Sequence, residues 1–393
     1  MATDKRQLYL ERCTVLQTLR LTSLRLRAFA EAVDHRHLAL IDDEIHEKIT
    51  CRLAERLNNS SDEICRHVRD LSVVGFKGDD ESYCLNVDLI VRCLHSVHKL
   101  DTFSWSCNAP LSAKILDILR QRFPYARLCA SVNLIDTVLL SERLLYKLAI
   151  SVPCAEVSGH DTISLIRLCK EALLQLASLR HLLINTHQDP SVGRFKGAAR
   201  DSLHLPFEHG DRLPPLTSFD IVSTSYNLTG AHCERLFESI DRNKLQSLTL
   251  GTSNPIMFFA MFTGKLPGLT SLDVSCISIA DDTRYPRCSE ACSKFIGGLQ
   301  SLNRLTVRCN SLDLRGILPK ILKDVHGPSL LHLSLQAMQE NFKGPSYRGN
   351  IRTFLWKFTN LCSLDMAFSD IQSYHRCPDC QGYEWGVSQT IEW

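Results

Sequence analysis

Leu266-Pro267-Gly268-Leu269-Thr270-Ser271-Leu272-Asp273-Val274 decides the fold. Its apolar residues step by three, three and two. The same steps return at Leu299, Leu302, Leu305 and Val307, and at Phe358, Leu361, Leu364 and Met366. They return again at Leu213, Leu216, Phe219 and Ile221, and at Leu176, Leu179, Leu182 and Ile184. A three-residue step suits a turn that feeds a strand. The closing two-residue step puts both apolar side chains of that strand on one face, because strand side chains alternate.

This is the arithmetic of a leucine-rich repeat. Taking the first apolar residue of each strand as an anchor gives Leu71, Phe103, Leu128, Leu148, Leu182, Phe219, Leu248, Leu272, Leu305, Leu333 and Leu364. The Leu128 copy is weak, since Leu128-Cys129-Ala130 lacks a second large apolar residue. The spacing is irregular, and most intervals leave room for an outer helix. Pro110–Phe123 carries Ile115, Leu116, Ile118 and Leu119 at helical spacing, with Pro124 just past its end. Thr229–Ile240 aligns Cys233, Leu236, Phe237 and Ile240, and Gly316–Val325 aligns Ile317, Ile321, Leu322 and Val325. Strand, helix, strand in succession implies parallel strands joined by crossovers. The predicted class is α/β: a leucine-rich-repeat solenoid, a curved parallel sheet with outer helices, plus a short helical N-terminal cap.

The predicted organisation is 1–40 as a helical segment, 41–372 as irregular leucine-rich repeats and 373–393 as a loose tail. Asn185–Pro215, rich in Gly, Pro and His, reads as a loop insertion, and Gln339–Gly349 as a second. Arg194, Lys196 and Arg200 within the first supply a candidate basic rim. The asparagine that tidy repeats place after the strand is mostly absent, although Asn108 and Asn310 fit it.

Composition bounds function. The chain has 393 residues, 44% hydrophobic, and 45 basic residues against 43 acidic ones, a net charge of +2. That balance provides no field to draw it onto nucleic acid or an anionic membrane. Its longest conspicuous apolar run, Ile256–Phe262, is far short of the roughly 20 residues of a membrane span. The 17 cysteines are scattered rather than paired, which fits small buried side chains in a reducing compartment. No secretory leader is read from Met1–Arg6, so an intracellular, cytoplasmic or nuclear setting is expected, and the sequons at Asn58, Asn59 and Asn227 are expected to be idle.

Chemistry-bearing clusters are few. Cys377-Pro378-Asp379-Cys380, with His375 nearby, has the spacing of half a zinc site, but no second pair stands at a suitable distance. Cys288 and Cys292 share a helical face, and His35/His37, His95/His98 and Asp42-Asp43-Glu44 read as surface or half-buried polar groups. No phosphate loop, nucleophile elbow or H-E-x-x-H pattern occurs, so neither an enzyme nor a cofactor is expected. Between the two inward residues of each strand lies one outward residue: Ser72, Ser104, Asp220, Thr249, Asp273, Thr306, Ser334 and Asp365. These are the candidate partner-binding residues of the concave face.

The N-terminal segment adds a family resemblance. The run from Leu19 to Glu31, with Arg20, Arg25 and Arg27 set among Leu21, Leu24, Leu26 and Phe29, resembles the second half of an F-box. His35–Leu40 resembles the strand-like continuation, and Ile64–Val73 the first repeat, of fungal F-box and leucine-rich-repeat proteins. The Leu-Pro-x-Glu start of an F-box has no counterpart in Met1–Arg12, so the F-box is N-terminally incomplete. The resemblance implies a substrate receptor of a Skp–cullin–F-box ubiquitin ligase, with Leu16, Leu19, Leu24 and Phe29 as adaptor-contact positions and a target protein on the repeats. A stand-alone repeat scaffold or inhibitor with no ligase partner is the alternative. The target itself is not readable, because outward residues of degenerate repeats follow no code.

Overall fold

A computed structural model describes residues 30–43, 45–76, 80–132, 137–153, 159–187, 204–223, 226, 228–252, 255–276, 285–309, 321–336, 346–347, 356–368 and 390–392. The chain divides into two compact units, Met1–Ser151 and Val152–Trp393. In each, the strands pair in parallel and in chain order, with helices in the connections, apart from the short strands Ser346–Tyr347 and Thr390–Glu392 at the end of the second unit.

In the first unit the strands are β1 (His37–Ile41), β2 (Asp70–Val74), β3 (Thr102–Ser106), β4 (Arg127–Val132) and β5, which begins at Leu145. Each pairs in parallel with the next. The inward row runs through Leu38, Leu71, Phe103 and Leu128, and from Leu71 to Leu128 it is at most 1% exposed. Helix α1 (Glu47–Asn58), the one-turn α2 (Ile64–His67), α3 (Asp80–Ser96), α4 (Ala113–Arg122) and the one-turn α5 (Thr137–Leu140) fill the connections. The sequence placed α4 well. Ser112 caps it by accepting a hydrogen bond from Lys114 N at 3.3 Å, and Ile115, Leu116, Ile118 and Leu119 are all buried.

The anchor at Leu148 is one step out. Leu145 is the residue opposite Leu128, while Leu148 lies opposite Ala130. The register shifts between Leu128 and Cys129, leaving Tyr146 as the extra residue of a bulge. Leu145, Leu148 and Ile150 are all buried, so three large residues in β5 compensate for the small Ala130 beside them.

The second unit contains β6 (His181–His187), β7 (Ser218–Val222), β8 (Ser247–Leu250), β9 (Ser271–Cys276), β10 (Arg304–Cys309), β11 (His332–Gln336), β12 (Ser346–Tyr347), β13 (Ser363–Phe368) and β14 (Thr390–Glu392). β6 to β11 pair in parallel in order, and β11 pairs in parallel with β13. β12 pairs in parallel with β13, and β14 antiparallel. Leu182, Phe219, Leu248, Leu272, Leu305, Leu333 and Leu364 form one continuous inward row, at most 1% exposed. Alternation alone explains it. A one-residue slip in any strand would turn its leucines to water.

Helices α6 (Gly159–Gln175), α7 (Gly230–Ser239), α8 (Ile256–Phe262) and α9 (Tyr285–Gly297) lie in the connections. Thr229 caps α7 by accepting from His232 N, and Cys233 and Leu236 are buried as expected. The apolar run Ile256–Phe262 is α8. Phe258 stacks on Phe262 at 4.1 Å between ring centres, and Phe259 on Phe295 at 5.1 Å.

Two expectations are corrected here. Val325, aligned with Leu322 on a helical spacing, is 38% exposed. The described end of that segment, Leu322–His326, is a π-helical turn. A π turn is wider than an α turn, so the core-facing partner of Leu322 is His326, which is fully buried. The insertion Asn185–Pro215 is also not wholly a surface loop. Leu205, Phe207 and Leu213 are buried. Leu205 N donates to the Tyr226 hydroxyl at 3.3 Å, and Phe207 stacks on His232. The nearly buried Lys170 of α6 pairs with Asp211 at 3.3 Å. Asp42-Asp43-Glu44 resolves in part: Asp43 accepts from the backbone N–H groups of Ile45 and His46 and pairs with the His46 ring at 2.7 Å, closing the turn before α1.

Candidate functional site

The residues between the inward ones are the candidate site. In the first unit Ser72 and Ser104 stand opposite one another, in a row that runs Ala39, Ser72, Ser104, Cys129, Lys147. In the second unit the row runs Leu183, Asp220, Thr249, Asp273, Thr306, Ser334, Asp365. All six outward positions read from the sequence in this unit therefore fall into a single register row. Most are half-buried, as strand residues with close lateral neighbours must be, and Thr306 is only 8% exposed.

Flanking rows complete the face. One step toward the strand starts lie Ser218, Ser247, Ser271, Arg304, His332 and Ser363. One step toward the strand ends lie Val222, then Gly251 just past Leu250, then Ser275 opposite Arg308. The face over β7 to β9 is thus small, hydroxylated and acidic. Ser218 Oγ donates to Asp220 at 2.8 Å and Ser334 Oγ to Asp365 at 3.1 Å.

Charge is distributed unevenly. Arg308 Nη1 lies 2.6 Å from Asp273 Oδ1, a short charge-assisted pair between neighbouring strands. Burial raises the Asp273 carboxyl pKa, Arg308 opposes that rise, and the Asp220 carboxylate adds repulsion. Burial lowers the His332 ring, with the nearby Arg304 adding to the effect. In the first unit, His37 pairs with Asp70 at 2.6 Å and Arg127 lies over the Tyr146 ring at 4.8 Å.

A second feature was not read from the sequence. A cleft of about 580 Å³ opens beside the end of α7, lined among others by Arg212, Pro215, Phe237, Ile240 and Arg242. The Arg242 guanidinium lies over the Phe237 ring at 4.0 Å and Lys265 at 4.8 Å. Arg212 donates to the Glu238 carbonyl. No local motif signals this cleft, because its walls come from separate connections.

Burial sets the protonation of several thiols and rings among the described residues. Burial pushes the thiols of Cys93, Cys169 and Cys233 up to about 12 and that of Cys107 up to about 11, which keeps them protonated. His232 is pushed down to about 3 by burial, with His204 adding to the shift. The Tyr226 hydroxyl accepts from Leu205 N, so its proton is free for His232 Nε2 at 3.0 Å. This pair sits in the core, away from the open face. Cys292 is buried on α9 and Cys288 half-buried. Among the described residues no group of three His, Cys, Asp or Glu is placed to hold a metal ion, and no helix is long and apolar enough to cross a membrane. Cys377 and Cys380 lie outside the described residues, as do Leu16, Leu19, Leu24 and Phe29.

No protein-family model matches the chain, and no curated protein matches it.

Proposed function

We infer that this chain is a binding scaffold of the leucine-rich-repeat type, which holds a protein partner on the open face of its parallel sheet and performs no bond chemistry itself. One observation carries the reading. The outward residues Asp220, Thr249, Asp273, Thr306, Ser334 and Asp365 form an unbroken polar row across six strands in register. A sheet face of small hydroxyl and carboxylate side chains presents hydrogen-bonding capacity on a surface with few rotamers to freeze, which suits protein recognition. The F-box resemblance of Leu19–Glu31 adds the second half of the proposal. The N-terminal segment would couple the scaffold to a Skp-type adaptor, and the bound target would be presented to a ubiquitin ligase.

The test separates the two halves. A photo-crosslinking side chain at Thr249 is expected to capture a protein partner, while the same group at the exposed Glu234 of α7 is not. Capture at both positions or at neither removes the open face from the reading. Co-purification with a Skp-type adaptor supports the receptor role. Capture at Thr249 without the adaptor leaves the stand-alone scaffold.

A further inference from the structure

Two carboxylates of the open face occupy the same place in the repeat, but they are not treated alike. Asp273 on β9 receives a guanidinium from Arg308, which stands on the following strand opposite Ser275, two residues beyond Asp273. Asp220 on β7 is related in the same way to the residue opposite Val222 on the following strand. Ile221 pairs with Leu250, so that residue is Gly251. The ladder continues this far, since Gly251 N donates to Ile221 O at 2.7 Å. Where one copy of the repeat supplies an arginine, the other supplies no side chain at all. Among the described residues Asp220 has no ion-pair partner, and its one side-chain hydrogen bond comes from Ser218.

The walls of that gap are equally incomplete. Leu250 pairs with Val274, which sets Ser275 beside Gly251 on the far side from Val222. Ser275 is only 7% exposed, yet among the described residues its hydroxyl has no hydrogen-bond partner. Val222 is 42% exposed along the other side. A deeply set donor–acceptor, a carboxylate without a cation and an apolar wall converge on a position without a side chain. Asp220 and Asp273 are two strand spacings apart, about 10 Å, with the small Thr249 between them.

We propose that an arginine side chain from an extended, basic segment of a partner protein fills the space over Gly251, pairing with Asp220 as Arg308 pairs with Asp273 and hydrogen-bonding to Ser275. This rests on the open face being the binding surface, and it names the chemistry of the partner. Arginine is favoured over lysine because a planar guanidinium has donors enough for a carboxylate and a hydroxyl at once.

Gly251 also provides the sharpest test. It is not among the left-handed glycines, and a Cβ there would meet Val222 Cα at 3.4 Å and Ile221 O at 3.5 Å, ordinary contacts. Gly251→Arg can therefore supply the missing guanidinium from within. Binding of labelled hexa-arginine and hexa-glutamate peptides to the full chain would be followed by fluorescence anisotropy, with circular dichroism and thermal midpoint as folding controls. Hexa-arginine is expected to bind more tightly than hexa-glutamate. Asp220→Asn and Gly251→Arg are each expected to weaken it about fivefold, the scale of one half-exposed ion pair. The helix-face control Glu234→Gln is expected to leave it unchanged. Equal losses in Asp220→Asn and Glu234→Gln, or tighter binding of hexa-glutamate, overturn the proposal. If Thr249→Trp releases a captured partner and the Asp220 and Gly251 variants do not, the basic-segment inference fails while the binding face stands. If none of the three releases it, both fail.

Discussion

The two units share a backbone plan and differ in what they turn outward. Leu71 and Leu272 are equivalent residues, each 1% exposed or less at the first inward position of its strand. One residue further on, the first unit shows Ser72, Ser104, Cys129 and Lys147, and the second shows Asp220, Thr249, Asp273 and Thr306. The inward residues are dictated by packing and have little freedom to vary. The outward ones are not: both units turn hydroxyls outward, and the second adds the carboxylates of Asp220 and Asp273, which packing of the inward row does not require.

The largest expected effect tests the half of this comparison that says the units are alike. Leu71→Ala and Leu272→Ala should each cost about 2–5 kcal/mol, the range for a buried leucine that leaves a cavity. Denaturant unfolding monitored by circular dichroism checks it. A loss under about 1 kcal/mol at either site would mean that its strand is not held by the inward row.

A smaller effect is expected from acid. The buried His232 of the second unit titrates near 3 when folded and near 6.5 when free. A depressed histidine favours the folded state fully above its free pKa, and that contribution is lost as pH falls toward the folded one. Stability should therefore decline from pH 6.5 downward, by up to about 1.4 kcal/mol per pH unit for one such group. His326, also lowered by burial, acts in the same direction. Urea midpoints measured from pH 7 to about 5, above the carboxylate range, check this. His232→Phe should flatten the slope, and an unchanged slope would mean that the ring is not buried in its neutral form.

The smallest effect sharpens the contrast within the second unit. Gly251→Arg should raise the thermal midpoint slightly, by no more than about 1 kcal/mol of stability, as a partly exposed ion pair does. The same change combined with Asp220→Asn should lose that gain. A gain that survives the double substitution would be a glycine effect on the unfolded chain and not the restored pair.

The sequence reveals what depends on alternation. The inward row, the capped helices at Ala113–Arg122 and Gly230–Ser239, and the outward positions all follow from steps of two, three and four. It is silent where one added residue or a change of helix type breaks the step, as at Tyr146 in β5 or at the π turn that exposes Val325. It is silent, too, where residues far apart meet. Arg308 and Asp273 are separated by 35 positions, and Lys170 and Asp211 by 41. Neither pair can be read before the register is known. The Gly251 gap belongs to the same class, since an absent side chain has meaning only beside its repeat equivalent.

The anchoring of the chain from Leu205 to Leu216 carries a consequence for the length of the excursion before it. β6 fixes one end of that excursion, and Lys170, Tyr226 and His232 fix the chain where it returns. Between two fixed points, loop closure depends only logarithmically on the number of residues. Doubling that number costs about 0.6 kcal/mol. By that scaling, a change in the number of residues between His187 and His204 is expected to leave the anchoring of Leu205, Phe207 and Leu213 in place.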